Sequence, residues 1–187
     1  MTNPLFERAA PQGLARAGQV IECKEELRHF ARLTAAVEAD LAGVPEAQRP
    51  AAWRQAMVSI RLRFGFADAA GQVPALVGEL GATVTAVCQR CLECFELPLA
   101  AELGHVLAAP DEPAAEPAGY DTWELGEPAF RPVDLVDEAL LMAWPLAAAH
   151  ASVADCGPLA QKLATDAPET VRPFAGLKAQ LERSDSK

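Results

Sequence analysis

Between Met57 and Phe66 the chain alternates strictly, with Val58, Ile60, Leu62, Phe64 and Phe66 on one side and Ser59, Arg61 and Arg63 on the other. Successive side chains of a strand point to opposite faces, so this run predicts a strand with one face in a core and one in water, as in an antiparallel sheet. A turn at residues 68–72, containing Gly71, leads to a second predicted strand over residues 73–87, where Gly78 and Gly81 suit a bulge or bend. Phe95, Leu97, Leu99, Leu103 and Leu107 fall at even spacing and predict a third strand. Three sequential strands with short connections make a meander. Ahead of them, residues 19–22 predict a short first strand. Residues 25–41 predict a helix, because Leu27, Phe30, Leu33, Ala36 and Val37 recur at helical spacing, and Pro45 and Pro50 then break the chain.

Residues 109–131 are rich in Pro, Ala, Glu and Gly without a period and predict a long exposed acidic loop. A helix follows, with Asp134 as its N-cap and Asp137 and Glu138 in its first turn, where carboxylates suit the positive end of the helix dipole. Val136, Ala139, Leu140 and Ala143 face the core, and Pro145 ends the helix. The predicted class is α+β, an antiparallel β-meander or partly open barrel packed with a few helices. Residues 1–16 form a weakly patterned lead-in, residues 17–156 a single domain, and residues 157–187 a polar segment. That last segment has one short amphipathic piece, in which Pro173 takes the first helical position and Phe174, Leu177 and Leu181 share a face.

A chain of 187 residues supports one hydrophobic core and is short for two. The location of charge changes the picture more than its size. Of the formal −10, residues 111–138 carry nearly all, with nine carboxylates against Arg131 alone for a balance of −8. Nucleic acid is gripped mainly through its phosphates by Lys and Arg, so a link to RNA is expected to run through a basic protein partner. Glu7 and Arg8 follow the first residues without a signal-like apolar stretch. The longest uncharged run, residues 139–154, holds Pro145, His150 and Ser152 and falls short of the roughly 20 apolar residues that span a bilayer. A cytoplasmic protein without a membrane partner is expected.

Of five cysteines, three cluster as Cys88, Cys91 and Cys94, while Cys23 reads as an ordinary buried small residue. Two thiolates separated by two residues in a tight turn reach one tetrahedral Zn2+, and a complete site needs two further ligands. His150 and Cys156 are the candidates, with Cys94 a competitor for one position. The competing structural reading makes these cysteines small residues filling a turn. A thioredoxin-like role would place the CxxC at a helix N-terminus, whereas its flanks here predict strands. Asp134, Asp137 and Glu138 are explained by helix capping, and His29 and His105 have no nucleophile at a recognisable spacing. Trp53, Trp123 and Trp144 read as core or loop anchors. No phosphate-binding glycine loop, HExxH or GxSxG occurs.

Cys88-Gln89-Arg90-Cys91, then forty residues on Asp134-Leu135-Val136-Asp137-Glu138-Ala139-Leu140-Leu141-Met142-Ala143-Trp144-Pro145-Leu146, then His150 and Cys156, resembles the YceD-like family of large ribosomal RNA subunit accumulation proteins. The tail Arg172-Pro173-Phe174-Ala175-Gly176-Leu177 is similar to that family's closing segment, and the resemblance spans residues 57–181. It implies a cytoplasmic bacterial or plastid protein connected with synthesis, processing or stability of large-subunit ribosomal RNA, with no catalytic residues to carry over.

The expected function is therefore that of an accessory factor, not an enzyme, with no small-molecule substrate. Its partner would be a basic ribosomal protein or processing factor, met through Asp134, Asp137, Glu138, Phe174 and Leu177. Two rivals stand beside it. One is a zinc- or thiol-dependent redox protein using Cys88 and Cys91; the other is a direct RNA-binding module, which requires Arg61, Arg63, Arg90 and Lys178 to converge.

Overall fold

The computed structural model describes residues 3–108 and 117–158. In chain order these form α1 (Pro11–Ala17), β1 (Val20–Glu26), α2 (Ala31–Asp40), β2 (Met57–Phe66), β3 (Pro74–Val87), β4 (Cys94–Ala108), β5 (Asp121–Glu124) and α3 (Pro132–Met142). The strands lie in the order β1-β2-β3-β4-β5, antiparallel through β4, with β5 parallel to β4. The sheet is mixed and not closed: β1 to β4 form the expected meander in an α+β fold, and β5 joins it in parallel.

The alternation in β2 does what it predicts. Val58, Ile60, Leu62 and Phe64 sit opposite Ala82, Leu80, Gly78 and Leu76 of β3 and are buried, whereas Ser59, Arg61 and Arg63 are exposed. Onto the buried face pack Leu33 and Val37 of α2 and Leu135, Val136 and Leu140 of α3.

Several boundaries differ from the sequence reading, each for a physical reason. β1 continues to Glu26, which pairs with Met57, so the helix expected from residue 25 is delayed. A 3-10 turn at Leu27–His29 intervenes before α2. The β2–β3 register runs unbroken past Gly78 and Gly81, so there is no bulge. Gly78 instead meets a close approach: a Cβ there would lie 2.6 Å from the Arg61 carbonyl oxygen and 2.8 Å from Leu62 Cδ2. Much of the expected loop is structured too. It contains β5, the buried Leu125, and Phe130, whose N–H and C=O exchange hydrogen bonds with Ala9. Residues 109–116 of that loop lie outside the described residues. Toward the N-terminus, the weakly patterned stretch carries α1 and Leu5, which is fully buried and accepts the Val133 N–H at 2.9 Å.

α3 also begins earlier than expected. Pro132 takes its first position and Arg131 stands at the N-cap, since proline's missing N–H costs nothing there. Asp134 sits in the first turn, bonded by Arg131 Nε at 2.9 Å and Nη2 at 2.6 Å. Asp137 is not part of an exposed first turn. It is 5% exposed, and its two carboxylate oxygens accept the backbone N–H groups of Arg32 and Leu33, each at 2.8 Å. These are orphan donors at the start of α2, whose own N-cap Phe30 offers no side-chain acceptor. One helix is thus capped by a carboxylate from another.

Replacing Asp137 with Ala strips both bonds and leaves one buried and one partly buried N–H group unpaired. The expected loss is about 2–3 kcal/mol in equilibrium urea unfolding. Glu138→Ala, whose pair with Arg32 is exposed, should change stability by less than about 0.5 kcal/mol.

Candidate metal centre

β3 and β4 form a long hairpin whose connection, residues 88–93, carries the CxxC. The Cys88 N–H donates to the Glu93 carbonyl at 3.0 Å and the Leu92 N–H to the Cys88 carbonyl at 2.8 Å. Closing this turn puts Leu92 at φ 62, a left-handed conformation uncommon outside Gly and Asn. The tight turn gathers the Cys88 and Cys91 thiols.

The other half of the site comes from the chain after α3. The Gln89 N–H donates to the Ala148 carbonyl at 2.8 Å, and Arg90 Nη2 donates to the carbonyls of His150 and Ser152, the latter at 3.3 Å. A 3-10 turn at Val153–Asp155 then folds the chain back. Ser152 Oγ accepts the Ala154 N–H at 3.1 Å, while Asp155 accepts the Ser152 N–H at 3.2 Å, and Cys156 is delivered to the cluster. Phe95 packs on the His150 ring with centroids 4.7 Å apart.

The ligand atoms of Cys88, Cys91, His150 and Cys156 all lie within 4.8 Å of one another. His150 Nδ1 is 3.6 Å from both Cys91 Sγ and Cys156 Sγ, and the Cys88 and Cys156 sulfurs are 4.0 Å apart. A tetrahedral ion bound at about 2.3 Å to sulfur and 2.0–2.1 Å to nitrogen requires edges of roughly 3.6 Å (S to N) and 3.8 Å (S to S). These three separations fit the edges of a tetrahedron, the others being no longer than 4.8 Å, and the cluster could hold a metal ion. The three cysteines are buried and His150 is half-buried.

The thiols are electrostatically unequal. Burial pushes the Cys88 thiol up, but the N–H groups of Cys91, His150 and Arg90 aimed at its sulfur outweigh this and lower it to about 5. Burial, and then hydrogen bonding with Cys88 and Cys91, pushes Cys156 up to about 11. At neutral pH one thiolate is thus ready to ligate, and a metal must displace the proton at Cys156.

Cys94 does not join them. It opens β4 opposite Val87, packs against the main core, and has its thiol pushed up by burial and then by Asp40. Cys23 is half-buried on β1, less enclosed than expected. Asp134 is exposed and Glu138 half-buried, paired with Arg131 and Arg32, whereas Asp137 is buried with both oxygens turned to α2. Arg61 and Arg63 lie on the open face of β2, but Arg90 is at the hairpin tip. Glu79, opposite Arg61, is separated from the tip by about 26 Å of strand. Phe174, Leu177 and Lys178 lie outside the described residues. Sequence reasoning missed Asp40, whose Oδ2 accepts the Val87 N–H at 2.5 Å directly before Cys88, and no local pattern marks it. It also missed Gln89 and Arg90 as clamps, although their place inside the CxxC could have pointed to them.

The family model described as large ribosomal RNA subunit accumulation protein YceD matches residues 76–180. The chain belongs to the YceD family. No curated protein and no solved structure gave a match. The YceD match takes in β3 from Leu76 onward, the hairpin turn, α3 and all four cluster residues, while α2 and β2 precede it. Among the described residues, no helix is long and apolar enough to cross a membrane.

A calorimetric titration of the reduced YceD-family chain with a thiophilic divalent ion checks the assignment. Cys88→Ser and Cys156→Ser should each weaken binding by more than the roughly 10–100-fold that losing an outer partner costs, Arg90→Ala by about tenfold, and Cys94→Ser not at all.

Proposed function

We propose that this chain is an accessory factor for synthesis, processing or stability of large-subunit ribosomal RNA, acting in the cytoplasm through protein contacts. In this reading the cluster holds Zn2+ as a structural element. The observation that carries it is the closed ligand set, three buried cysteines and one histidine within a YceD-family match. Four protein ligands leave a tetrahedral ion no position for a substrate, which is the mark of a structural site. Soft thiolates favour zinc over magnesium or calcium. When bound, zinc would tie residues 148–156 to the hairpin tip and so fix one rigid surface for recognition.

The described surface suits a basic partner better than polynucleotide. On the open face of the sheet Arg61 stands 3.1 Å from Glu22 and 3.6 Å from Glu79, so phosphates would meet carboxylates beside each cation. A basic ribosomal protein or processing factor would instead be attracted and steered by the net negative charge of residues 111–138, in which Asp134 and Glu138 are already paired with arginines.

One observation favours the redox reading, namely the lowered pKa of Cys88. Reactive cysteines are also accessible, however, and Cys88 is fully buried.

Purified from its native cells, the protein should contain about one zinc per chain by elemental analysis and co-purify with ribosomal or processing components. Its depletion should lower the ratio of large to small ribosomal subunits. A normal ratio together with metal-free protein would sink the proposal. Cys88→Ser should lower the melting temperature of the zinc-loaded protein and leave metal-stripped protein nearly unchanged.

A further inference from the structure

α3 leaves part of the buried face of the sheet uncovered where β4 meets β5. The result is a groove of about 660 Å³ whose floor includes Leu103, His105 and Trp123 and whose wall includes Ala139 and Met142 of α3 and Ala143 just after it. Two features mark it as incomplete. His105 Nδ1 is buried without a hydrogen-bond partner among the described residues, and Met142, on the α3 wall, is 75% exposed. The groove is also strongly one-signed, with Glu102, Asp121, Glu124 and Glu138 at its margin and no Lys or Arg among the described residues lining it.

We propose that this groove is the docking site for the chain's own C-terminal segment, residues 172–183. Phe174, Leu177 and Leu181 recur there at the spacing of one helical face, matching an apolar trough. The segment carries Arg172, Lys178 and Arg183 against Glu182, a net +2 facing an acidic margin. Residues 109–116, the other stretch outside the described residues near β4, carry Asp111, Glu112 and Glu116 with no cation and would be repelled. Reach also agrees. The described chain leaves at the hairpin tip, where Gly157 lies against Glu93. From Cys94 to Leu103 along β4 is about 30 Å. The fourteen residue-to-residue steps from Pro158 to Arg172 can span up to about 46 Å, so the tether covers the distance with slack. Tethering raises the local concentration of the segment to the millimolar range, which allows a modest groove to be filled without a large interface.

The test is a photo-crosslinking benzophenone side chain placed at Met142 in the purified, full-length protein, with isotopically light and heavy chains mixed before illumination. The expected product joins position 142 to residues 172–183 of the same chain. Its yield should fall roughly tenfold or more in Leu177→Asp, because a carboxylate would be both desolvated and repelled there. High salt should lower the yield as well. Products to residues 109–116, products joining light to heavy chains, or no product at all would each overturn the proposal.

Discussion

The geometry of the molecule depends on α2 being fastened at both ends by carboxylates. At its start, Asp137 of α3 accepts the N–H groups of Arg32 and Leu33; at its end, its own Asp40 accepts the N–H of Val87. Charge-assisted bonds to backbone donors are short, directional and stronger than neutral ones. A ten-residue helix is about 15 Å long, so α2 works as a strut of set length between α3 and the end of β3. Both halves of the cysteine–histidine cluster hang from this strut. Cys88 follows Val87, and the segment bearing His150 and Cys156 follows α3. The acidic residues that the sequence presents as a surface for partners thus include one that is internal scaffolding.

The cluster is distinct from the main hydrophobic core. Cys88, Cys91 and Cys156 form their own small buried group with Phe95 and Ala149 at its margin, and the polar ties from Gln89 and Arg90 add the rest. So few apolar contacts give residues 148–156 little intrinsic stability compared with the β2–β3–β4 layer, and regions of that kind open first. A bound ion would offset this by the linkage of metal affinity to folding. It would also remove the conflict of three thiols and an imidazole sharing one enclosed space, where a single thiolate and a strongly held proton otherwise coexist.

Local patterns revealed what local physics determines. The alternation over Met57–Phe66 showed which face of β2 is buried, and the CxxC with the later His150 and Cys156 pointed to the set that the fold assembles. What was hidden depends on contacts between distant residues. Glu26 is helix-compatible by pattern, yet it lies in a strand because Met57 pairs with it. Gly78 looked like a bend, yet what matters is the carbonyl of Arg61 pressed against it from the next strand. Asp137 looked like a first-turn residue because nothing nearby in sequence reveals that another helix begins beside it. β5 is only four residues long, and such a strand in a Pro- and Glu-rich stretch carries no period to read.

An open sheet leaves two rims, and the sequence blunts both against self-association. Along one outer strand, Glu22 and Lys24 face solvent on the uncovered side; the opposite rim is the four-residue β5, with Asp121 and Glu124 at its ends, continued by residues 94–104 of β4, where Glu96, Pro98 and Glu102 are exposed. Charged or abbreviated rims deny an approaching strand the flat, apolar template that fibril growth needs. A fold built on long hairpins can therefore pair its strands internally without offering its rims to another chain.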